Sequence, residues 1–380
     1  MAVTLGIAAN ATSLMATKEY ADWSTRGKSE LTINPDGSAK EDTGGLSKGY
    51  ITQWSYGITE SLNLFVPRLF GGASQENLGE DSKSFNYLID KGLPKSSALD
   101  FVSGLPLYWG DQPGTSGPAY LGAVIFFLFV LGLFLVKGKH KWWLLIGSLV
   151  SLVLSWGKNF SALTDFMIDY FPLYDKFRAV SSIQIVLELC VPILAILALK
   201  KLFMDKVSQA DKIKSLTLAV GTVFGLGVLL FVFKGAFNFV GANDDNLRMT
   251  GLEELPEMLR LDRKSVYTSD LLRSLGYALV TSVLIWFYLK EKLKMNFVIL
   301  AIGVLVVVDL VGVDLRYVNN DNFVSKRKML EPFQESASDK LIAKDNGVFR
   351  VFDQTDGFDS AKTAYFHQSI TGYHAAKPAG

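Results

Sequence analysis

The chain has 380 residues, of which 49% are hydrophobic and 20% charged, with 38 Lys plus Arg against 37 Asp plus Glu. A net charge of +1 leaves no basic field for nucleic acid and no acidic tail. A single cysteine, Cys190, excludes an intrachain disulfide and a metal site built on thiolates.

In chain order, Met1 to Met15 lacks a basic n-region and has too weak an apolar centre for a signal peptide. It reads as the last part of a transmembrane helix, residues 1–17, whose beginning would lie upstream, and the ending at Gly380 likewise reads as a truncation. Residues 18–118 form a long polar stretch broken by Asn34-Pro-Asp-Gly37, Gly44-Gly45, Gly71-Gly72 and Pro113-Gly114 into short elements, the pattern of a functional loop region. Within it, the mixed aromatic and aliphatic spacing of Tyr50 to Phe70 fits either an interfacial helix with Trp54 and Tyr56 at headgroup level or an ordinary helix of a loop domain.

Six apolar runs follow between 119 and 313: Ala119–Val136, Trp142–Trp156, Ser181–Leu199, Ser215–Phe233, Leu271–Leu289 and Met295–Val313. A hydrocarbon core of roughly 30 Å needs about 17–25 helical residues. Five runs meet that length, and Trp142–Trp156 meets it with its tryptophans at the two interfaces. The predicted fold is mainly α, a polytopic transmembrane bundle. Lys137, Lys139 and Lys141 join the first two runs, Lys200, Lys201, Lys206, Lys212 and Lys214 the third and fourth, and Lys290, Lys292 and Lys294 the last two. If every run crosses once, all three turns share one side, which the positive-inside rule makes cytoplasmic. The long polar segments then face the periplasm or cell exterior.

Between the second and third runs, Trp156-Gly-Lys-Asn159 and Phe171-Pro-Leu-Tyr-Asp-Lys-Phe-Arg178 place cations at a membrane mouth. Lys158, Lys176 and Arg178 are therefore candidate ligands for a lipid phosphate, or else snorkelling anchors. Glu188 and Asp309 lie inside apolar runs, where a charge costs several kcal/mol, so each should face protein or a wet cavity. After Asp314 the alternation of Phe349-Arg-Val-Phe352 and the β-branched and aromatic run Thr363–Thr371 predict the start of an outward-facing α+β domain over 314–380. His140, His367 and His374 have no zinc-ligand spacing, and no Walker A loop, dinucleotide fingerprint or nucleophile elbow is present.

Four segments together resemble the YfhO family of bacterial membrane proteins, in the long form found in Bacteroidetes: Glu19–Gly27, Trp54–Glu60 with Leu69–Gly72, Phe171–Arg178 and Tyr365–His374. The likeness implies a central fragment of a GT-C-like glycosyltransferase that takes a sugar from a polyprenyl-phosphate donor and modifies a cell-envelope glycan or polymer. The family's catalytic carboxylate would sit in a first external loop upstream of Met1, so no catalytic residue is carried over. The resemblance makes Lys176, Arg178 and Arg26 the grip on the leaving phosphate. Trp54, Tyr365, His367, Tyr373 and His374 are candidate sugar-contacting residues or, equally, core aromatics. The expected partners are membrane lipids, the lipid-linked donor and the envelope acceptor; no cofactor is expected, and a divalent-metal requirement stays open. Two other readings remain. One is a lipid or polysaccharide transporter with a midplane pathway at Glu188, Pro192 and Gly221–Gly227. The other is a noncatalytic membrane scaffold.

Overall fold

The computed structural model describes residues 1–24, 26–27, 33, 37–39, 45–249, 251–358 and 360–372. The helices used below are α1 (Ala2–Ala9), α2 (Ala11–Asp22), α3 (Lys83–Asp90), α4 (Lys95–Val102), α5 (Ala123–Leu135), α6 (Lys139–Ser155), α7 (Ser161–Tyr170), α8 (Gln184–Phe203), α9 (Gln209–Val232), α10 (Leu255–Leu289), α11 (Met295–Tyr317), α12 (Ala337–Ile342) and α13 (Ala361–Phe366). By compactness the chain divides into Met1–Ser47 with Pro172–Phe177 and Val318–Gly380, and Lys48–Phe171 with Arg178–Tyr317.

The larger unit is a helical bundle. Four of its helical segments are long and apolar enough to cross a membrane: Val180–Phe203, Gln209–Ala236, Leu255–Leu289 and Met295–Tyr317. A fifth candidate is Lys139–Ser155 taken with Gly157–Tyr170, bent by 109° at the break. Gly157 makes that bend. Its φ is +43°, and a Cβ there would lie 2.6 Å from the Val180 side chain.

The first of the six predicted runs is shorter than expected. Helix α5 has 13 residues, about 20 Å at 1.5 Å per residue, which is less than a bilayer core of about 30 Å. Gly122, with φ +95°, starts it, and the chain before it is not helical. Eight of its thirteen residues are buried, against 39% or less of the apolar window of each long helix. It packs on α8, α9, α10 and α11, so its all-round apolarity is that of a helix enclosed by protein rather than one that must reach both membrane faces.

Helix α10 differs in the other direction. Its 35 residues span about 50 Å, and it starts at Leu255, well before the apolar run at Leu271. The added turns place Leu255 and Leu259 against Phe85, Leu88, Ala98, Val102, Leu105 and Leu107, a satellite core with α3 and α4. Polar residues on the same extension are buried with partners. Asp262 accepts from the Lys83 and Ser84 amides at 2.7 and 2.9 Å, at the positive end of α3. The Arg263 guanidinium donates to the carbonyls of Pro106, Leu107 and Phe239 and to Asp244, at 2.6–3.1 Å. Asp270 holds Arg68 at 2.9 Å and Arg316 at 2.8 Å, and Arg68 also reaches Glu76 at 3.0 Å.

Asp309 faces protein, as expected for a carboxylate inside an apolar helix. It is 0% exposed, pairs with Arg273 at 3.0 Å, and accepts from the Tyr120 hydroxyl at 2.7 Å. At the far ends of these helices the Gln209 side chain donates to the Leu289 carbonyl, and Phe203 packs edge-on to Tyr288 with centroids 4.7 Å apart. The lysine-rich turns 200–214 and 290–294 therefore share one end of the bundle.

Tyr50 to Phe70 is not one helix. It forms a single turn at Lys48–Ile51 and a 3₁₀ segment at Thr59–Leu64, and Phe65, Val66 and Leu69 are fully buried in the bundle core, so the segment folds inward instead of lying along a surface.

In the smaller unit, α1 and α2 meet at Asn10, whose side chain donates to the Gly6 carbonyl at 2.9 Å. No strand forms among the described residues after 317. Val351 makes one parallel bridge to Ser369, its amide donating to the Gln368 carbonyl at 2.8 Å, and the predicted strand Thr363–Thr371 begins inside α13. Ser360 caps that helix by accepting from the Thr363 amide at 3.1 Å, a local bond that outweighs the β-propensity of the sequence.

Candidate functional site

The polar loops of the larger unit gather on the end of α6 opposite its lysine-rich start. The Tyr56 amide donates to the Ser155 carbonyl at 3.0 Å, the Lys158 amide to Ser55 Oγ at 3.1 Å, and the Asn159 side chain to the Tyr56 carbonyl at 2.8 Å. The Trp156 indole donates to Ser61 Oγ at 2.7 Å. These bonds fasten residues 48–61 to the bend after α6.

A third loop, 108–113, is held by Glu60. This carboxylate is 1% exposed and accepts from the Gly57 amide at 2.9 Å, the Tyr108 hydroxyl at 2.6 Å and the Asp111 amide at 3.2 Å. Burial pushes its pKa up, and these donors partly offset that. Burial together with the adjacent Glu60 charge raises the Tyr108 phenol, and burial, against a hydrogen bond from Gln112, pushes Tyr56 up to about 12. Both phenols therefore remain protonated donors at neutral pH, and Glu60 is an internal brace.

Above this brace lies a cavity of about 720 Å³ lined by Lys48, Gln53, Asp111, Gln112, Pro113 and Lys158 among others. The volume falls in the range of roughly 300–1,000 Å³ of small-molecule sites. Lys48 pairs with Asp165 at 2.5 Å, and the Lys158 ammonium donates to the Asp111 carbonyl at 2.9 Å. The cavity thus combines two ammonium groups, a carboxylate and two amides.

Of the candidates drawn from sequence, Lys158 lines this cavity. Arg178 is exposed, with its guanidinium 5.1 Å from the Tyr50 ring centroid, and Trp54 is half-buried, its carbonyl accepting from the Ser181 amide at 3.1 Å. Glu188 is exposed on α8, and its charge reaches Tyr56. Arg26 and Lys176 belong to the smaller unit. There Arg26 donates to the Lys176 carbonyl at 2.7 Å and lies over Phe177, and Lys176 pairs with Asp175 at 3.0 Å. In that unit, too, Tyr365 packs on Phe333 and Phe366, and His367 Nε2 lies 2.8 Å from Asp339, so their nearest partners are protein groups. Tyr373 and His374 lie outside the described residues.

Lys48, Gln53, Asp111 and Gln112 were not singled out in the sequence. The available signal was Trp109-Gly-Asp-Gln-Pro-Gly114, a polar turn punctuated by Gly and Pro, the setting in which ligand-binding residues concentrate. Among the described residues no three His, Cys, Asp or Glu side chains gather as a metal site would require. Comparison with protein families, characterised proteins and solved structures finds no match to this chain.

Proposed function

We propose that the chain is part of a multi-pass membrane glycosyltransferase of YfhO, GT-C-like type, and that it holds the phosphate of a polyprenyl-linked sugar at the bacterial cell envelope. The observation that carries this reading is the cavity with Lys48 and Lys158 on its wall, built at the end of α6 away from its lysine-rich start. A glycosyl phosphate develops negative charge on its phosphate as the glycosidic bond breaks, and fixed ammonium groups stabilise that charge. Arg178, exposed in the stretch that follows α7, adds a cation that the family resemblance also assigns to the phosphate.

The test is sugar transfer from a polyprenyl-phosphate donor by the full-length protein in detergent, with Lys158→Ala, Arg178→Ala and Glu188→Gln. The reading predicts that the two cation variants lose transfer and that Glu188→Gln retains it. The exposed carboxylate of Glu188 on α8 is the observation that favours a transport pathway instead. Wild-type transfer in both cation variants, with lipid movement across vesicles lost in Glu188→Gln, would replace the transferase by that transporter.

A further inference from the structure

The cavity is lined by a carboxylate, that of Asp111, which no hydrogen bond or ion pair engages among the described residues. The Asp111 main chain is pinned on both sides, its amide donating to Glu60 at 3.2 Å and its carbonyl accepting from Lys158 at 2.9 Å. Its side chain is exposed and lines the cavity, and among the described residues no donor reaches its carboxylate. Space for that carboxylate exists because position 57 is glycine, where a Cβ would lie 2.8 Å from Asp111 Oδ2. Gln53, exposed on the opposite loop, offers an amide on the same cavity.

A carboxylate sharing a cavity with two ammonium groups is unfavourable for gripping a bare phosphate, which it repels. It suits a ligand that is anionic at one end and rich in hydroxyls at the other. Vicinal hydroxyls donate to both oxygens of a carboxylate in charge-assisted bonds, and an amide supplies both a donor and an acceptor. We propose that Asp111, with Gln53, recognises the sugar hydroxyls of a glycosyl phosphate whose phosphate is held by Lys48 and Lys158 in the same cavity. This rests on the phosphate-binding reading above and adds the residue that distinguishes the sugar-bearing lipid from the bare one. Because its main-chain bonds position Asp111, replacement of the side chain leaves the loop intact.

The experiment compares binding of polyprenyl-phosphate-hexose and of polyprenyl phosphate to the full-length protein in nanodiscs, for wild type, Asp111→Asn, Asp111→Ala and Lys158→Ala. In wild type the sugar-bearing lipid binds about tenfold to a hundredfold tighter than the bare lipid, the worth of a charge-assisted hydrogen-bond pair. Both Asp111 variants bring that ratio close to one without weakening the bare lipid, whereas Lys158→Ala weakens both lipids together. A preserved ratio in Asp111→Asn and Asp111→Ala, or equal binding of the two lipids by wild type, overturns the sugar-recognition role and leaves the phosphate reading standing. Failure of wild type to bind either lipid overturns the phosphate reading and this proposal with it.

Discussion

Replacing Asp309 by alanine removes the counter-charge of Arg273 from inside the bundle. The carboxylate is 0% exposed and Arg273 19% exposed, so the guanidinium left behind is largely cut off from water. Breaking a buried pair from one side costs about 3–5 kcal/mol. The Tyr120 hydroxyl, which donates to Asp309 at 2.7 Å and accepts from the Ala123 amide at 2.9 Å, loses its acceptor as well, a further cost of about 1 kcal/mol or more. A total of at least about 4 kcal/mol is a large part of a typical net stability of about 5–15 kcal/mol. Asp309→Asn keeps an acceptor for Tyr120 but still removes the counter-charge of Arg273, so it retains most of the ion-pair cost, about 3 kcal/mol. The single cysteine provides the readout, since Cys190 is buried in α8 and reacts only when the bundle opens. Maleimide labelling of Cys190 in detergent is expected to accelerate about a thousandfold in Asp309→Ala, at 1.4 kcal/mol per tenfold, and about a hundredfold in Asp309→Asn. Adding Arg273→Met to Asp309→Ala should recover most of the loss, because the pair then disappears together. Unchanged labelling in Asp309→Ala, or a double variant no slower to label than the single one, would refute the argument that this pair holds α10 and α11 to α5.

At Gly132 a Cβ would meet the Leu194 carbonyl at 2.9 Å, whereas at Gly221 nothing lies within 4 Å. Gly132→Ala is therefore expected to lower the melting temperature through a strain of about 1–3 kcal/mol, and Gly221→Ala to raise it through a helix-propensity gain of up to about 1 kcal/mol. In the smaller unit, hydrogen bonds from Ser336 and His367 lower the Asp339 pKa to about 2. A depressed carboxylate contributes stability fully above its unfolded value of about 3.9 and loses it as pH falls toward the folded value. Hydrogen exchange of residues 363–372, corrected for intrinsic rates, should thus accelerate between pH 4 and pH 2, and Asp339→Asn should remove that dependence. Orientation is testable in a Cys190→Ala background. Gln53→Cys should react with an impermeant maleimide on intact cells, and Lys292→Cys only after permeabilisation.

Helices α8, α9 and α11 match apolar runs in the sequence closely, because long uninterrupted apolarity has few structural solutions. The same signal overstated α5. A residue set such as Val124 to Leu135 is apolar whether lipid or protein surrounds it, and composition does not distinguish the two. It understated α10, where Asp262, Arg263 and Asp270 read as loop but are buried against Ser84, Leu107 and Arg68, partners more than 150 residues away. In the C-terminal region the alternation at Phe349–Phe352 fits a strand, yet Val351 alone is bridged, so local pattern did not determine pairing. The candidate site was legible only through Lys158, whose place beside a tryptophan at a membrane mouth marks a cation with a possible role. Asp111 was hidden, since its position depends on Glu60 and Lys158, each about fifty residues away and brought near only by folding.

The central claim, that the cavity between loops 48–53, 110–113 and Lys158 holds the headgroup of a lipid-linked sugar, is tested most directly by photo-crosslinking. A polyprenyl-phosphate-hexose with a diazirine on the sugar, irradiated with the full-length protein in nanodiscs and mapped by mass spectrometry, should label peptides containing Gln53 and Asp111, with labelling suppressed by unmodified donor. Labelling confined to α8 around Glu188 and Pro192, with none on the cavity loops, would contradict it.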